Sequence, residues 1–139
     1  MRFTKVEHIG IAVLDIHEAT QRYTLLLGSS PYREEEVPSE GVRTVFFKMG
    51  ETKIELLAST RPDSPITKFL EKKGEGIHHI AYRSENIWKD MEDLKNAGYQ
   101  LLHEKPINGA ECMLVCFIHP RNCNGVLTEL CQPQKESGL

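Results

Sequence analysis

Apolar and polar side chains alternate from about Val6 to Val13, and this period of two predicts a β-strand with one buried face. One face carries the apolar residues Ile9, Ile11 and Val13. The opposite face carries His8 among the small residues Gly10 and Ala12. The apolar face is therefore expected to join the core, and His8 becomes a candidate functional side chain.

The apolar spacing changes to three or four residues after Asp15, which predicts a helix that begins at Ile16 and stops at Gly28. Asp15 is the predicted N-cap, because its carboxylate can accept hydrogen bonds from the first backbone N–H groups of a helix. The acidic segment 31–41 is expected to be a solvated loop or an edge strand. A hairpin is predicted next, with strands over 42–49 and 52–57.

A linker over residues 58–75 separates two halves of the chain. It is rich in turn residues and contains a short predicted helix that begins at Ser64-Pro65 and ends before Gly74. The residue pattern of the second half predicts the same order of elements as that of the first half. It has a strand over 77–82, a helix over 87–96 and three further strands, the last two over 113–118 and 126–131.

The second half repeats the first at an offset of 71 residues, which matches His79 to His8. Each half also ends on a similar strand, with Glu55 in the first and Glu129 in the second. The histidine precedes the glutamate by 47 residues in the first half and by 50 in the second. A duplicated unit therefore supplies one histidine and one glutamate from each copy.

Each repeated unit is too small to bury much apolar surface alone, so the two are expected to pack together. We predict an α+β fold in which two tandem βαβββ modules, residues 5–57 and 76–132, form one curved mixed sheet around a metal site. The helices would lie outside this sheet. Residues 1–139 would form a single domain.

Two imidazoles and two carboxylates suit a divalent transition metal. Units related by a pseudo-twofold axis bring equivalent positions together near that axis. The positions are His8, Glu55, His79 and Glu129. Such a donor set leaves Zn, Co, Ni, Mn and Fe open. The alternative is that duplication preserved two buried histidines and two surface glutamates without any metal.

The remaining histidines are weaker candidates. His78 must point to the opposite side of its strand from His79, so only one of the two can face the site. His119 lies at a strand end, where a role in contacting substrate and a role in the turn are equally open. His17, on a helix, and His103, among polar neighbours, are both expected to be exposed to solvent.

Composition is that of a globular protein, with 40% hydrophobic and 27% charged residues. No transmembrane segment or signal peptide is evident, so a cytoplasmic protein without a membrane partner is expected. The net charge of −3 offers no basic excess for binding nucleic acid. The four cysteines form no Cys-x-x-Cys pair, and free thiols are expected.

Six short strings carry a resemblance to a known family. They are His8–Val13, Lys53–Leu57, Asp63–Ile66, Gly76–Ala81, Phe117–Pro120 and Gly125–Leu130. Together they resemble the methylmalonyl-CoA epimerases, which belong with glyoxalase I to the vicinal oxygen chelate superfamily. The resemblance extends over about residues 5–132. The histidine strands are typical of the whole superfamily, whereas the segments at 63–66 and 117–120 are closer to the epimerases.

This resemblance implies an acyl-CoA substrate and proton transfer at the carbon next to its thioester, which would interconvert (R)- and (S)-methylmalonyl-CoA. It implies a divalent metal ion, Co, Zn, Ni or Mn, held by His8, Glu55, His79 and Glu129. Glu55 and Glu129 would also be the acid/base groups for the two faces of the substrate. His119 is a weaker candidate for substrate contact. A homodimer is expected, because relatives often dimerise through these modules.

The chain departs from the family pattern at three places. Some epimerases carry glutamine at the position of Glu55. Some members have a further glutamate that has been considered as a base, and this chain has Thr44 there, which cannot act as a general base at neutral pH. Relatives often have histidine and glycine at the positions of Glu111 and Cys112.

Three alternatives to the epimerase are open. A glyoxalase I-type isomerase of a glutathione hemithioacetal would use similar metal-enediolate chemistry. An Fe(II) extradiol dioxygenase fits less well, because Glu55 would add a fourth ligand where dioxygen needs a free position. A metal-free protein that binds a small molecule is the alternative of another class, and the complete donor set argues against it.

Overall fold

The computed structural model describes residues 1–134. Within this part of the chain there are eight β-strands, with both parallel and antiparallel pairings, and three α-helices, so the predicted α+β class is confirmed. Contacts divide the chain into two compact units. Residues 8–78 form one unit, which we call the N-terminal module. Residues 1–7 and the residues from 79 onward form the other, which we call the C-terminal module.

The N-terminal module has the predicted order of elements, followed by the linker helix. These are β1 (Phe3–Ala12), α1 (Ile16–Leu27), β2 (Arg33–Val37), β3 (Val42–Met49), β4 (Thr52–Ser59) and α2 (Pro65–Lys73). Its strands follow the order β2-β3-β4-β1. The pairing of β1 with β4 is parallel, and the other two pairings are antiparallel. The acidic segment is thus an edge strand.

Local signals set the boundaries of the first two helices where the sequence placed them. The Asp15 carboxylate accepts hydrogen bonds from the backbone N–H groups of His17 and Glu18. Gly28 ends α1 with a φ of 70°, a left-handed conformation that glycine adopts at little cost. Ser64 caps α2 in the same way as Asp15 caps α1, by accepting from the N–H of Thr67.

Both faces of the N-terminal sheet are covered. The face of Ile9, Ile11 and Val13 packs under α1, as the alternation predicted. The opposite face, which carries His8, is closed farther along the strand by α2. There Ala12, Val42, Leu57 and Ile66 form a second buried cluster, against which Phe69 and Leu70 pack.

The C-terminal module repeats this plan with a shorter third element. Its elements are β5 (Gly76–Ser84), α3 (Ile87–Asn96), β6 (Ile107–Asn108), β7 (Met113–Ile118) and β8 (Thr128–Pro133). The strand order is β5-β8-β7-β6, and β5 runs parallel to β8 as β1 does to β4. The predicted loop after β7 contains a 3-10 helix, Pro120–Cys123.

The helix α3 packs through Ile87 and Met91 on a cluster formed by Cys116, Ile118 and Leu130. Arg2 also ties the start of the chain to this helix, because its guanidinium donates to Asp90 at 2.9 Å and to Asp93 at 3.0 Å. Hydrogen bonds from Lys89 and Arg2 lower the pKa of the Asp93 carboxyl. In residues 1–134, no helix is both long enough and apolar enough to cross a bilayer.

Candidate metal and catalytic site

The N-terminal module brings His8 and Glu55 together. The parallel register of β1 and β4 places Gly10 opposite Glu55, so His8, two residues before Gly10, shares that face of the sheet. The Nε2 atom of His8 lies 3.5 Å from Oε1 of Glu55. Only 7% of His8 and 5% of Glu55 is exposed. The alternative in which duplication preserved two surface glutamates without any metal is therefore contradicted at Glu55.

The C-terminal module forms an equivalent pair from His79 and Glu129. Here Ala81 lies opposite Glu129, as Gly10 lies opposite Glu55. The Nε2 atom of His79 is 3.9 Å from Oε1 of Glu129, and both residues are buried. Each module thus joins its own histidine to its own glutamate, and small residues between them leave room for both side chains.

A phenylalanine lies across the sheet from each glutamate. Phe46 on β3 pairs with Glu55, and Phe117 on β7 pairs with Glu129. The ring of Phe117 also meets the imidazole of His79 edge-on, with 5.7 Å between the ring centroids. Sequence analysis missed both phenylalanines. Counting outward from the predicted turn Gly50-Glu51 would have paired Phe46 with Glu55, whereas the longer loop after β7 offers no such count.

The donor atoms fit a divalent ion by type and by spacing within each pair. Each module supplies one buried imidazole and one buried carboxylate, which are donor types that bind divalent metal ions. Two ligands that are each about 2.1 Å from an ion, at a tetrahedral angle, are about 3.4 Å apart. The His–Glu distances of 3.5 and 3.9 Å are close to this value. Buried carboxylates are also costly unless they are paired or coordinate a cation.

The other four histidines have separate roles. The ring of His78 packs edge-on against Phe69 on the side of β5 opposite to His79, as predicted. His119 accepts a hydrogen bond at Nδ1 from the Arg121 N–H, so the structure shows a role in the turn. His17 is exposed as expected. The same expectation is wrong for His103, which is half-buried with its ring 6.1 Å from that of Phe117.

The structure shows the conformation at two of the places where the chain departs from the family pattern, Thr44 and the pair Glu111 and Cys112. Thr44 is 1% exposed and lies two residues before Phe46, on the face of Glu55, and its hydroxyl donates to the carbonyl of Glu35 at 3.3 Å. Glu111 and Cys112 both have left-handed backbones, with φ of 56° and 54°. Such conformations are uncommon for residues other than glycine. Glu111 and Cys112 are thus held in a conformation that glycine would adopt at less cost.

The cysteines are free thiols, as predicted. Cys116 lies behind Phe117 in β7, and burial raises the pKa of its thiol to about 11. The negative charge of Glu129 contributes to this increase, while a backbone hydrogen bond from His103 opposes it. The nucleophilic form of cysteine is the thiolate, so Cys116 is unsuited to covalent catalysis at neutral pH.

Comparison with known proteins places this geometry in a broad family. Residues 7–117 match the family model described as the Glyoxalase/Bleomycin resistance protein/Dioxygenase superfamily. The chain is 40% identical over 130 residues to the uncharacterized protein YqjC of Bacillus subtilis (strain 168), covering 94% of this chain and 93% of that protein. It is also 40% identical over 128 residues to the ethylmalonyl-CoA/methylmalonyl-CoA epimerase of Cereibacter sphaeroides, covering 91% of this chain and 96% of that one.

A solved structure shows the same similarity in three dimensions. It is a variant of the methylmalonyl-CoA epimerase of Streptomyces coelicolor in complex with 2-nitronate-propionyl-CoA. The TM-score is 0.91 at 34% identity, over 94% of this chain and 95% of that one. The similarity therefore includes both modules, not only the histidine strands.

Proposed function

Since the chain belongs to the glyoxalase/bleomycin resistance protein/dioxygenase superfamily, we propose that it is an epimerase that interconverts (R)- and (S)-methylmalonyl-CoA. The observation that carries this proposal is the buried His–Glu pair present in each module. Identity of 40% to an epimerase over nearly the whole chain supports the choice of substrate.

The reaction removes the proton between a thioester and a carboxylate and returns a proton to the other face of the same carbon. Two demands follow. Negative charge that develops on the thioester oxygen needs stabilisation, and an acid/base group is needed on each face, within hydrogen-bond reach of the carbon.

His8, Glu55, His79 and Glu129 would hold a divalent metal ion, for which we propose Co, Zn, Ni or Mn. When bound, such an ion is a Lewis acid that stabilises negative charge on a substrate oxygen. The support for this proposal is the donor chemistry and the spacing within each pair. That both pairs act on one ion stays a prediction from the sequence repeat.

Glu55 and Glu129 are the proposed acid/base groups for the two faces. Each comes from the last strand of its own module, so a pseudo-twofold relation would present them to opposite sides of a substrate. Phe46 and Phe117 pair with these glutamates on the neighbouring strands. Their apolar rings would limit the access of water, which would favour proton transfer with the substrate over exchange with solvent. Thr44 is not a candidate for this role, because its hydroxyl is not a base at neutral pH.

Deuterium exchange tests this function. The protein is stripped of metal, incubated in D₂O with (R)- or (S)-methylmalonyl-CoA, and assayed again after each divalent metal is restored. Metal-dependent incorporation of α-deuterium together with racemisation is the expected result. Absence of exchange in a metal-loaded protein would reject the epimerase.

A glyoxalase I-type activity on a glutathione hemithioacetal is the second candidate, and the carboxylate of Glu55, where some epimerases have glutamine, favours it. Formation of a hydroxyacyl thioester from the hemithioacetal, without exchange on methylmalonyl-CoA, would select this alternative. A protein that retains no metal but binds a small molecule would be neither enzyme.

The homodimer and the cytoplasmic location also stay predictions. Light scattering on the protein as it elutes from a size-exclusion column would test the homodimer.

A further inference from the structure

Arg83 lies on the same face of β5 as His79. Side chains alternate along a strand, so residues 79, 81 and 83 share one face. Arg83 pairs with Cys131 across β8, two residues beyond the pair formed by Ala81 and Glu129. Its Cα is therefore about 13 Å along the strand from that of His79, at the usual rise per residue.

Arg83 shares its face of the sheet with apolar residues. Ala81 and Cys131 belong to a buried cluster with Met113 and Val115 on this face. The Nε atom of Arg83 is buried and has no hydrogen-bond partner. Within residues 1–134 no carboxylate forms an ion pair with this side chain. A partly buried cation in such surroundings is unfavourable unless an anion compensates it.

The corresponding place in the N-terminal module is occupied differently. The offset of 71 residues matches Arg83 to Ala12, which is fully buried in the cluster that α2 closes. The cluster of Ala81, Met113, Val115 and Cys131 is its equivalent in the C-terminal module. In the described part of that module, the partly buried residue that packs on this cluster is Ile107 of the short strand β6. The cation is thus a feature of the C-terminal module alone. Among the described residues of that module, no helix residue belongs to the cluster on this face.

We propose that Arg83 binds an oxyanion of the substrate. The planar guanidinium matches the geometry of carboxylate and phosphate groups, to which it can donate two parallel hydrogen bonds. The inference rests on the proposed function, because an acyl-CoA substrate with a free carboxylate offers this chemistry at two places. They are the carboxylate of the acyl group and the phosphates of the coenzyme.

The test compares Arg83→Met and Arg83→Lys with the parent protein in the deuterium-exchange assay. Arg22→Gln is the matched control, since it removes one arginine charge from an exposed helix position where the partner is Glu18. Each protein is assayed with methylmalonyl-CoA and with the methylmalonyl thioester of N-acetylcysteamine, which has no phosphate.

The expected result is a rise in KM of roughly tenfold to a hundredfold for Arg83→Met, the range for losing a hydrogen bond to a charged group. A smaller rise is expected for Arg83→Lys, which keeps the charge but not the fork. An equal effect on both thioesters assigns the oxyanion to the acyl carboxylate. An effect on the CoA thioester alone assigns it to the phosphates.

Thermal unfolding separates this role from a structural one. Arg83→Met removes no hydrogen bond of the Nε atom, so its Tm is expected to equal or exceed that of the parent. A fall in Tm of Arg83→Met beyond that of Arg22→Gln would overturn the inference. An unchanged KM for both thioesters in an active protein would also overturn it and leave the epimerase standing, whereas an inactive parent protein would reject both.

Discussion

His8 and Glu55 are 47 residues apart in sequence, yet their side chains lie 3.5 Å apart, from Nε2 to Oε1. Their strands, β1 and β4, are the first and the last of one module, and they run parallel to each other. The second module repeats the relationship between His79 and Glu129, at 3.9 Å. A parallel pairing of first and last strands thus turns a distant pair in sequence into a local pair of donors.

Removal of either histidine is expected to lower metal content. His8→Ala and His79→Ala each delete one proposed nitrogen ligand, so both proteins should retain less metal after dialysis than the parent. His17→Ala is the control, because His17 is exposed on α1. Metal analysis of the purified proteins measures the effect. Full metal content in both site variants would show that the histidines are not ligands.

Glu55 and Glu129 are expected to exchange protons with different enantiomers of methylmalonyl-CoA. Glu55→Gln and Glu129→Gln keep the size of the side chain but remove its basicity, which should reduce exchange by roughly 10²-fold or more. If each carboxylate acts on one face, each variant should lose α-proton exchange mainly with one enantiomer of methylmalonyl-CoA. Equal losses with both enantiomers would contradict the assignment of one glutamate to each face.

The stability of the N-terminal module is expected to depend on the cluster under α1. Leu56 is fully buried there, and its replacement by alanine should lower the free energy of unfolding by about 2–5 kcal/mol. Leu25 on α1 is 86% exposed, so Leu25→Ala should change stability by less than about 0.5 kcal/mol. Urea unfolding measures both. Similar losses for the two variants would contradict the described packing.

Stability is expected to fall at high pH through Cys116. Its thiol has a pKa of about 11 in the folded protein, against 9.0 for an unperturbed thiol. A group whose pKa is raised by folding stabilises the folded protein fully at a pH below its pKa in the unfolded chain. This stabilisation is lost as the pH rises through its pKa in the folded protein. The free energy of unfolding should therefore decrease between about pH 9 and pH 11.

Cys116→Ala provides the comparison for this pH effect, because it lacks the titrating thiol. Its unfolding free energy should depend less on pH over that range than that of the parent. Alkylation at neutral pH gives a second measurement, in which the exposed Cys112 should react much faster than the buried Cys116. Equal alkylation rates in the folded protein would contradict the burial of Cys116.

The sequence alone determined the elements and the identity of the two His–Glu pairs. Capping residues are local signals, so Asp15, Gly28 and Ser64 marked the helix ends correctly. The repeat was informative for a different reason. Duplicated units fold in the same way, so the offset of 71 residues selected His79 over its neighbour His78, and the similar last strand of each half matched Glu129 to Glu55.

Only the tertiary structure decided what surrounds these pairs. The partner of Glu129 across the sheet depends on the register of β7 with β8, which a loop of irregular length does not predict. The half-burial of His103 depends on how its segment packs against Phe117. Arg83 likewise has an ordinary position in the sequence. Its buried Nε atom on the face of His79 emerges only from strand register and from apolar neighbours that are distant in the chain, because burial is a property of the folded chain and not of a local segment.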